Sequence, residues 1–415
     1  MSARPEGFTG GIRLGEPPRS SPTDLTVGPQ PHPAIEFPEG QQVAECPRPS
    51  TARSDAMDGL RGLAIAMVLW LHFVQQYLPP GRGSWLGWLR AGTGLAWVGV
   101  DLFFVISGFF IGGILIDRRE SPRLVRVFYL RRAARILPLY YVTLAAIGLA
   151  ILGHVSGSFH LFPSWIYGLF LTNFAFGVAR RWDWLPLSVL WTLAVEEQFY
   201  VTAPWIVRAI ARPLIPWLVG SLIALAELSR ACVLVAWPQA RFAVHVLTPF
   251  RMDALAFGVL AAWAVRSEAA AAFIDRLAVH WRTWLALGIS LLGGLNLLQP
   301  EQGSLVLLLF GYLLIATVFA MMVVIVAKVR PAGLNRILEV GPLVNLGRHS
   351  YFVYLWHGLV GAVLIRWLGG PDFTLNSFTG AGIVALVLGV TWSAAVVSWK
   401  WFEGPIVAWS HRKSY

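Results

Sequence analysis

The sequence predicts an all-α integral membrane protein, a transmembrane bundle of about ten spanning helices with one re-entrant or short apolar segment. Of its 415 residues, 56% are hydrophobic and 13% are charged, and the mean hydropathy is +0.61. This composition excludes an ordinary soluble domain. Eleven apolar stretches follow one another from Leu60 onward, and none has the two-residue alternation of a membrane barrel. Because a backbone in hydrocarbon must satisfy its own hydrogen bonds, the stretches are predicted to be helices.

The segment before the apolar region has a different composition. Residues 1–55 contain ten prolines and mixed charges, and they lack an apolar core long enough for a signal peptide. We therefore expect a disordered cytoplasmic tail. The rest of the chain divides into an integral membrane domain over residues 56–409 and a short C-terminal tail over residues 410–415.

The apolar stretches give the order of the helices. They cover roughly 60–78, 94–116, 136–154, 161–178, 185–207, 214–236, 251–265, 283–298, 304–327, 351–368 and 379–399. The loop 117–135 between the second and third contains seven arginines and two acidic residues. Short loops rich in arginine stay on the cytoplasmic side, so this loop and the N-terminus are predicted to be cytoplasmic. The net charge of +11 thus reflects topology, and we expect no nucleic-acid partner.

One stretch is predicted not to cross the membrane. If all eleven crossed, the basic residues within 266–282 and 328–336 would lie outside, against the charge rule. Pro163 and Pro186 interrupt the pattern within 161–207, and irregular backbone is tolerated in a membrane where it lines a cavity. We therefore expect the non-spanning segment there, about ten crossings and both termini in the cytoplasm.

Arg61 and His72 are the most informative residues of the first stretch. Eleven residues at about 100° each come within about 20° of three full turns, so both side chains leave one helix face. They lie about 16 Å apart along the axis, with Arg61 near the cytoplasmic surface and His72 near mid-bilayer. Ionisable groups are costly in hydrocarbon, so the pair predicts a functional site around one shared chamber.

Further polar side chains interrupt the later helices. At least one of Glu196 and Glu197 is expected to point into the bundle toward a cation or a histidine such as His72. Tyr200 shares a face with Glu196 at the i, i+4 spacing. The other candidates for a cavity or an acceptor site are Asp101, Ser107, Arg251, Asp253, Tyr354 and His357.

The sequence suggests no metal or redox site. Cys46 and Cys232 form neither a CxxC pattern nor a disulfide framework. His154 and His160 have no metal-ligand partners nearby. We expect no bound metal and no permanently bound cofactor.

Seven segments, from about Asp58 to Pro405, together resemble the membrane-bound acyltransferase family 3. They are MDGLRGLAIAMVLWLH, which carries the family's Arg-x10-His pattern, GVDLFFVISGFFIGGIL, FYLRRAARILPLYY, WTLAVEEQFY, RMDALAFGVLAA, SYFVYLWH and WFEGPI. Each is a weak signal alone, whereas the ordered set is specific. The resemblance implies an enzyme of a bacterial inner membrane that moves acyl groups, by default acetyl, from cytoplasmic acyl-coenzyme A to a glycan or glycolipid hydroxyl.

The implied reaction assigns a donor site to the arginines. An extended pantetheine arm is comparable in length with the ~16 Å rise between Arg61 and His72. Arg61 is expected to hold a coenzyme A phosphate, because a guanidinium keeps its charge and matches phosphate geometry. Arg131, Arg132 and Arg135 would extend this anion site.

The same resemblance gives His72 the central chemical role. Its imidazole would act as general base on the acceptor hydroxyl, or would accept the acyl group itself, and the sequence does not choose between these. Glu197, preferred over Glu196, would orient the ring. The acceptor is open among lipopolysaccharide, exopolysaccharide and peptidoglycan sugars, lipid-linked glycans, Nod-type oligosaccharides and macrolides, and succinyl or longer acyl groups stay open beside acetyl.

Structural alternatives exist for most of these residues. Arg61 fits a snorkelling topology residue, and the arginines of 131–135 fit positive-inside signals. Asp101 and Ser107 fit close helix packing beside glycine, and His357 with Tyr354 fits a satisfied core. The alternative function is a transporter or flippase of a lipid-linked or small polar solute, although we find no paired internal repeat.

Overall fold

The computed structural model describes residues 54–79, 83–153, 162–298, 304–370 and 373–415. Within these residues the chain forms helices and turns and no strand, which confirms the all-α class. Apart from Ser54 and Asp55, the predicted N-terminal tail lies outside the described residues, as do His154 and His160. The domain boundaries at residues 56 and 409 stay predictions.

The helices are numbered in chain order. They are α1 (Asp55–Trp70), α2 (Trp85–Gly92), α3 (Gly99–Asp117), α4 (Leu124–Leu152), α5 (Ser164–Gly168), α6 (Thr172–Ala179), α7 (Leu185–Ser188), α8 (Leu190–Ala209), α9 (Ile215–Ala236), α10 (Arg241–Val246), α11 (Thr248–Ala264), α12 (Ala271–Val279), α13 (Trp281–Leu298), α14 (Tyr312–Val324), α15 (Ala332–Leu338), α16 (Gly341–Arg348), α17 (Ser350–Leu368), α18 (Phe378–Ser398) and α19 (Gly404–His411). Wider π-helical turns adjoin them at Leu71–Gln75, Leu307–Gly311, Ile325–Val329 and Trp399–Glu403.

Several helical segments have the length and composition to cross a membrane, so the protein is an integral membrane protein. The described residues contain seven such segments, or eight if the bent pair Pro238–Val246 and Thr248–Ala264 forms one span. Helices α8 and α13, with 20 and 18 residues, are long enough but fall outside this set. The count of ten crossings therefore stays a prediction.

The region between α4 and α8 is broken, as its prolines predict. Helices α5, α6 and α7 have only five, eight and four residues, whereas a span needs about 20. Arg180 ends α6 in the left-handed backbone region with φ of 54°. Pro186 lies at the start of α7. This is the place where we expected the short apolar segment.

The arginine-rich segment 117–135 is mostly helical, which corrects its prediction as a loop. Helix α4 begins at Leu124, so Arg131, Arg132 and Arg135 lie on its first three turns. Arginine is a good helix former, and a boundary drawn at the edge of an apolar stretch does not see this propensity. A helix gives these guanidinium groups fixed directions, about 100° apart per residue.

Two groups of ion pairs connect the ends of neighbouring helices on one side of the bundle. Arg266, just after α11, bonds Asp117 at the end of α3, with Nε 2.7 Å from Oδ1. Arg348 at the end of α16 bonds both Asp55 and Asp58 of α1. The basic residue after α11 thus lies on the same side as the end of α3 and the arginine-rich segment, as a non-spanning segment requires.

Glycine allows helices α3 and α11 to pack very closely. A Cβ atom at Gly108 of α3 would overlap the carbonyl oxygen of Leu255 of α11, and one at Gly258 would overlap the carbonyl of Val105. Small residues let two helix backbones approach in this way, which increases van der Waals contact between helices in lipid. Helices α3 and α11 therefore form a rigid pair that supports one wall of the site described below.

We expect Gly108→Ala to destabilise the protein by about 1–3 kcal/mol or more, because the added methyl must push α3 and α11 apart. Gly148→Ala on α4 is the matched control, since a Cβ there meets open space. The measurement is the thermal unfolding midpoint of the purified protein in detergent. A fall for Gly108→Ala with no fall for Gly148→Ala is expected; equal midpoints would contradict the close contact.

Candidate functional site

A cavity of about 140 Å³ lies between α1, α3, α4, α8 and α17. Guanidinium, carboxyl and hydroxyl groups share its wall with apolar side chains. The lining residues are Arg61, Val100, Phe103, Phe104, Ile106, Ser107, Arg132, Arg135, Ile136, Thr192, Leu193, Glu196, Tyr200, Ser350, Tyr351 and Tyr354. An apolar cavity with a few convergent polar groups is the usual form of a small-molecule site.

Three of the four arginines predicted to bind the acyl donor line this cavity. Arg61 stacks over the ring of Phe110 at 4.3 Å and pairs with Asp58 at 3.4 Å. Arg132 lies 5.9 Å from the ring of Tyr200, and Arg135 lies 5.5 Å from the ring of Trp399. Aromatic faces hold a guanidinium in place without neutralising it. We call these three guanidinium groups the arginine wall of the cavity; Asp58 partly balances the charge of Arg61.

Arg131 does not line the cavity, although it was predicted to extend the same anion site. Its Nη2 donates to the carbonyl of Lys413 at 2.7 Å, and its guanidinium lies 4.6 Å from the ring of Tyr415. Arg131 and Arg132 are neighbours in sequence, but about 100° separates their directions on a helix. Arg132 and Arg135, three residues apart, share the cavity face instead.

Glu196 is the carboxyl group of the cavity. It accepts a hydrogen bond from the hydroxyl of Tyr200 at 3.0 Å, and that hydroxyl also contacts Ser107 of α3. Glu197, which we had preferred as the functional carboxyl, does not line the cavity. Its Oε1 is buried and has no hydrogen-bond partner in the described structure. Adjacent residues on α8 leave the helix about 100° apart, and the sequence did not show which of these two carboxyl groups would line the cavity.

Tyr354 of α17, one of the predicted cavity candidates, completes the polar lining. Its hydroxyl lies 2.6 Å from that of Thr192 and donates to the carbonyl of Val189 at 3.0 Å. Sequence reasoning missed Thr192. Ser350 was not among the candidates either, although Ser350, Tyr354 and His357 lie on one face of α17 at spacings of four and three.

His72 is the second residue of the π-helical turn Leu71–Gln75, which follows directly after α1 ends at Trp70. Its Nδ1 is 3.0 Å from Nε2 of His357, and the two rings stack with centroids 5.0 Å apart. The predicted pairing of His72 with Glu196 or Glu197 is thus replaced by a pairing with His357. The reason is that α17, rather than α8, brings its polar face to this turn. Such π-helical turns within longer helices are frequent at functional sites.

The cavity does not extend from Arg61 to His72, whereas we expected one chamber around both. Arg61 lines the cavity, whereas His72 is absent from its lining residues. The connection runs through Tyr354, which lines the cavity and whose ring lies 5.9 Å from that of His357. The polar groups therefore form a series from the arginines through hydroxyls to the two imidazoles.

Asp101, Arg251 and Asp253 form a separate buried network, which corrects their assignment to the cavity. Arg251 pairs with Asp101 of α3, while Asp253 accepts from Arg230 of α9 at 2.8 Å. Arg251 also lies 3.9 Å from the ring of Tyr312. All four charged side chains are almost fully buried. Arg251 and Asp253, two residues apart on α11, do not share a helix face and pair with different helices.

Comparison with known proteins adds an independent observation. A family model described as an acyltransferase domain matches residues 54–398. The peptidoglycan O-acetyltransferase OatA of Listeria monocytogenes is 27% identical over 344 residues, covering 73% of this chain and 48% of that protein. The O-acetyltransferase OatA of Staphylococcus aureus is 25% identical over 315 residues, covering 72% and 49%. The chain spans about half the length of these curated relatives. No solved structure matches it.

We expect Arg251→Met to destabilise the folded protein by about 3–5 kcal/mol, because it leaves the carboxylate of Asp101 buried without its cation. The double variant Asp101→Leu with Arg251→Met removes both charges and should recover much of that loss. Thermal unfolding in detergent compares the two. A double variant no more stable than Arg251→Met would show that the pair is not the main interaction of these side chains.

Proposed function

The chain belongs to the acyltransferase family whose domain model covers residues 54–398, and from this premise we propose that it is a membrane O-acyltransferase. In this proposal it transfers an acyl group, acetyl by default, from acyl-coenzyme A to a glycan hydroxyl. The observation that carries the proposal is the cavity with three arginines at one wall and hydroxyl groups leading to a histidine pair.

The donor is proposed to bind from the arginine wall. Arg61, Arg132 and Arg135 offer fixed positive charges to the phosphates of coenzyme A. The cavity volume of about 140 Å³ is similar to that of an apolar cavity of about 150 Å³ that holds one benzene molecule. It therefore has room for a small acyl thioester, while the nucleotide part stays outside. This size supports acetyl over a long acyl chain.

His72 is proposed to carry out the transfer. As general base it takes the proton of the acceptor hydroxyl while the oxygen attacks the thioester carbon, and the coenzyme A thiolate leaves and is then protonated. As nucleophile, its ring nitrogen attacks the same carbon, the thiolate leaves, and the acceptor oxygen later displaces the imidazole. Both routes balance as thioester plus alcohol giving ester plus thiol, and both need one unprotonated ring nitrogen.

The acceptor is proposed to be a glycan of the bacterial envelope. The Listeria relative is named for peptidoglycan O-acetylation, which makes a peptidoglycan sugar the first acceptor to test. We place the arginine wall at the cytoplasmic face of the inner membrane, with both termini in the cytoplasm, because the arginine-rich segment lies at that end. The donor then enters from the cytosol and the acceptor from the opposite side.

We expect His72→Ala to abolish acyl transfer while leaving the protein folded. Purified full-length protein is given radiolabelled acetyl-coenzyme A and peptidoglycan fragments, lipid-linked glycans or lipopolysaccharide, and ester-linked label is counted. His280→Ala is the matched control, because His280 is exposed after α12. Full activity of the His72→Ala protein would refute the assigned role. Movement of an unmodified glycan or lipid across liposomes, with no ester formed, would favour the transporter alternative.

We expect Arg132→Gln to raise the KM for acetyl-coenzyme A by about ten-fold or more with a smaller change in kcat, because hydrogen bonds to charged groups contribute about 1.5–3 kcal/mol. The control is Arg126→Gln, since Arg126 is an exposed arginine on the same helix and outside the cavity lining. Steady-state kinetics at several salt concentrations measure both values. Equal KM changes in the two variants would mean that the arginines act by net charge alone.

A further inference from the structure

We infer that His357 is a positioning residue that fixes the ring protonation of His72, so that Nε2 of His72 is its reactive nitrogen. The inference rests on the proposed function for its chemical consequence, but its geometry stands by itself. The observation is a chain of contacts from backbone carbonyls of α17 through both imidazoles.

The backbone of α17 determines which nitrogen of His357 carries the proton. Its Nδ1 is 2.7 Å from the carbonyl oxygen of Tyr354 and 3.2 Å from that of Val353. A carbonyl oxygen can only accept a hydrogen bond, so Nδ1 must be the protonated nitrogen. In the neutral ring, Nε2 of His357 then has a free lone pair and can only accept.

The same reasoning shows which ring nitrogen of His72 carries the proton. The nitrogen facing Nε2 of His357, at 3.0 Å, is Nδ1 of His72. Because His357 presents a lone pair there, a neutral His72 donates from Nδ1 and carries its proton there; the ring also has a backbone hydrogen bond with Val68. A neutral His72 therefore keeps its lone pair on Nε2. General-base catalysis and acyl-imidazole formation both require this lone pair.

The packing around the pair holds this orientation. His357 is completely buried, so water does not compete for its nitrogens. The ring of Phe73 meets it edge-on with centroids 5.8 Å apart. Gly361, one turn further along α17, makes room for Phe73, since a Cβ at that position would overlap the Phe73 ring. Phe73 lies in the same π-helical turn as His72, which links the shape of that turn to the ring contact.

The arrangement also accounts for charge during transfer. When Nε2 of His72 takes the acceptor proton, the imidazolium keeps its Nδ1 proton directed at Nε2 of His357. The positive charge is then shared with a ring whose own Nδ1 proton is held by two carbonyl oxygens. The carboxylate of a serine-protease triad does similar work on its histidine. Here a neutral second imidazole takes that place.

Two variants of His357 distinguish a positioning role of its ring from a role in filling space. His357→Gln retains an oxygen that can accept from Nδ1 of His72 and an amide that can donate to the α17 carbonyls. His357→Met has similar size but lacks a strong acceptor. We expect His357→Met to lower kcat by about 10–100-fold with little change in the KM for acetyl-coenzyme A, given the larger losses that follow a wrong tautomer in a triad. The kcat of His357→Gln should stay within about five-fold of that of the natural enzyme.

A matched control comes from the start of α17. Nδ1 of His349 also bonds a backbone carbonyl, that of Asn345, at 2.8 Å, but its ring faces Trp392 and Trp399 instead of a second imidazole. His349→Met should leave kcat near the natural value. Equal kcat losses in the Gln and Met variants of His357, or no loss in Met, would overturn the inference.

A spectroscopic measurement tests the tautomer without using activity. Nitrogen-15 NMR of the full-length protein with labelled histidine, compared with the His72→Asn protein, isolates the two ring signals of His72. We expect the proton on Nδ1 of His72, and its loss from that position in His357→Met. A proton found on Nε2 of His72 in the natural protein would overturn the inference even if His72 proves essential. An active His72→Ala enzyme would instead refute the proposed function.

Discussion

Pairing of buried charges between helices is the constraint on which the arrangement of this bundle depends. A charge deep in a low-dielectric interior is strongly destabilising unless an opposite charge and hydrogen bonds meet it. Arg251 with Asp101, and Arg230 with Asp253, satisfy this requirement by joining α3, α9 and α11. These pairs and the glycine contact between α3 and α11 fix one side of α3. The other side of α3, with Ser107, is left to face the cavity.

The fold class followed from composition because a bilayer permits few solutions for an apolar chain. The broken segment followed from Pro163 and Pro186, since proline removes a helix hydrogen bond and disfavours a helix interior, although α4 continues through Pro138 and α8 through Pro204. The start of α4 was misplaced for a physical reason. Arginine is polar and also favours helix, so the apolar stretch begins after Arg135 while the helix begins at Leu124. Hydropathy identifies the part of a helix that lies in the membrane, and it does not show where the helix begins or ends.

The site was predictable as far as single helices determine it. Arg61 could be assigned to a cavity because spacing along one helix fixes its face. The choice between Glu196 and Glu197 depends on the rotation of α8, and the partner of His72 depends on which helix packs against its turn. Both are properties of tertiary packing that no spacing rule contains. The motif SYFVYLWH held the missing information, because Ser350, Tyr354 and His357 share a face, but its direction toward His72 needed coordinates.

The small volume of the cavity bears on the choice between acyl transfer and hydrolysis. A thioester beside an activated water would be hydrolysed, so a transferase gains from a site that admits the acyl group and excludes bulk solvent. Tyr354 is held by Thr192 and by the carbonyl of Val189 at the part of the cavity nearest His357. The half-buried, hydrogen-bonded phenol of Tyr354 thus lies between the arginine wall and the histidine pair. In the proposed reaction, the donor phosphates and the reacting nitrogen would therefore occupy different parts of the bundle.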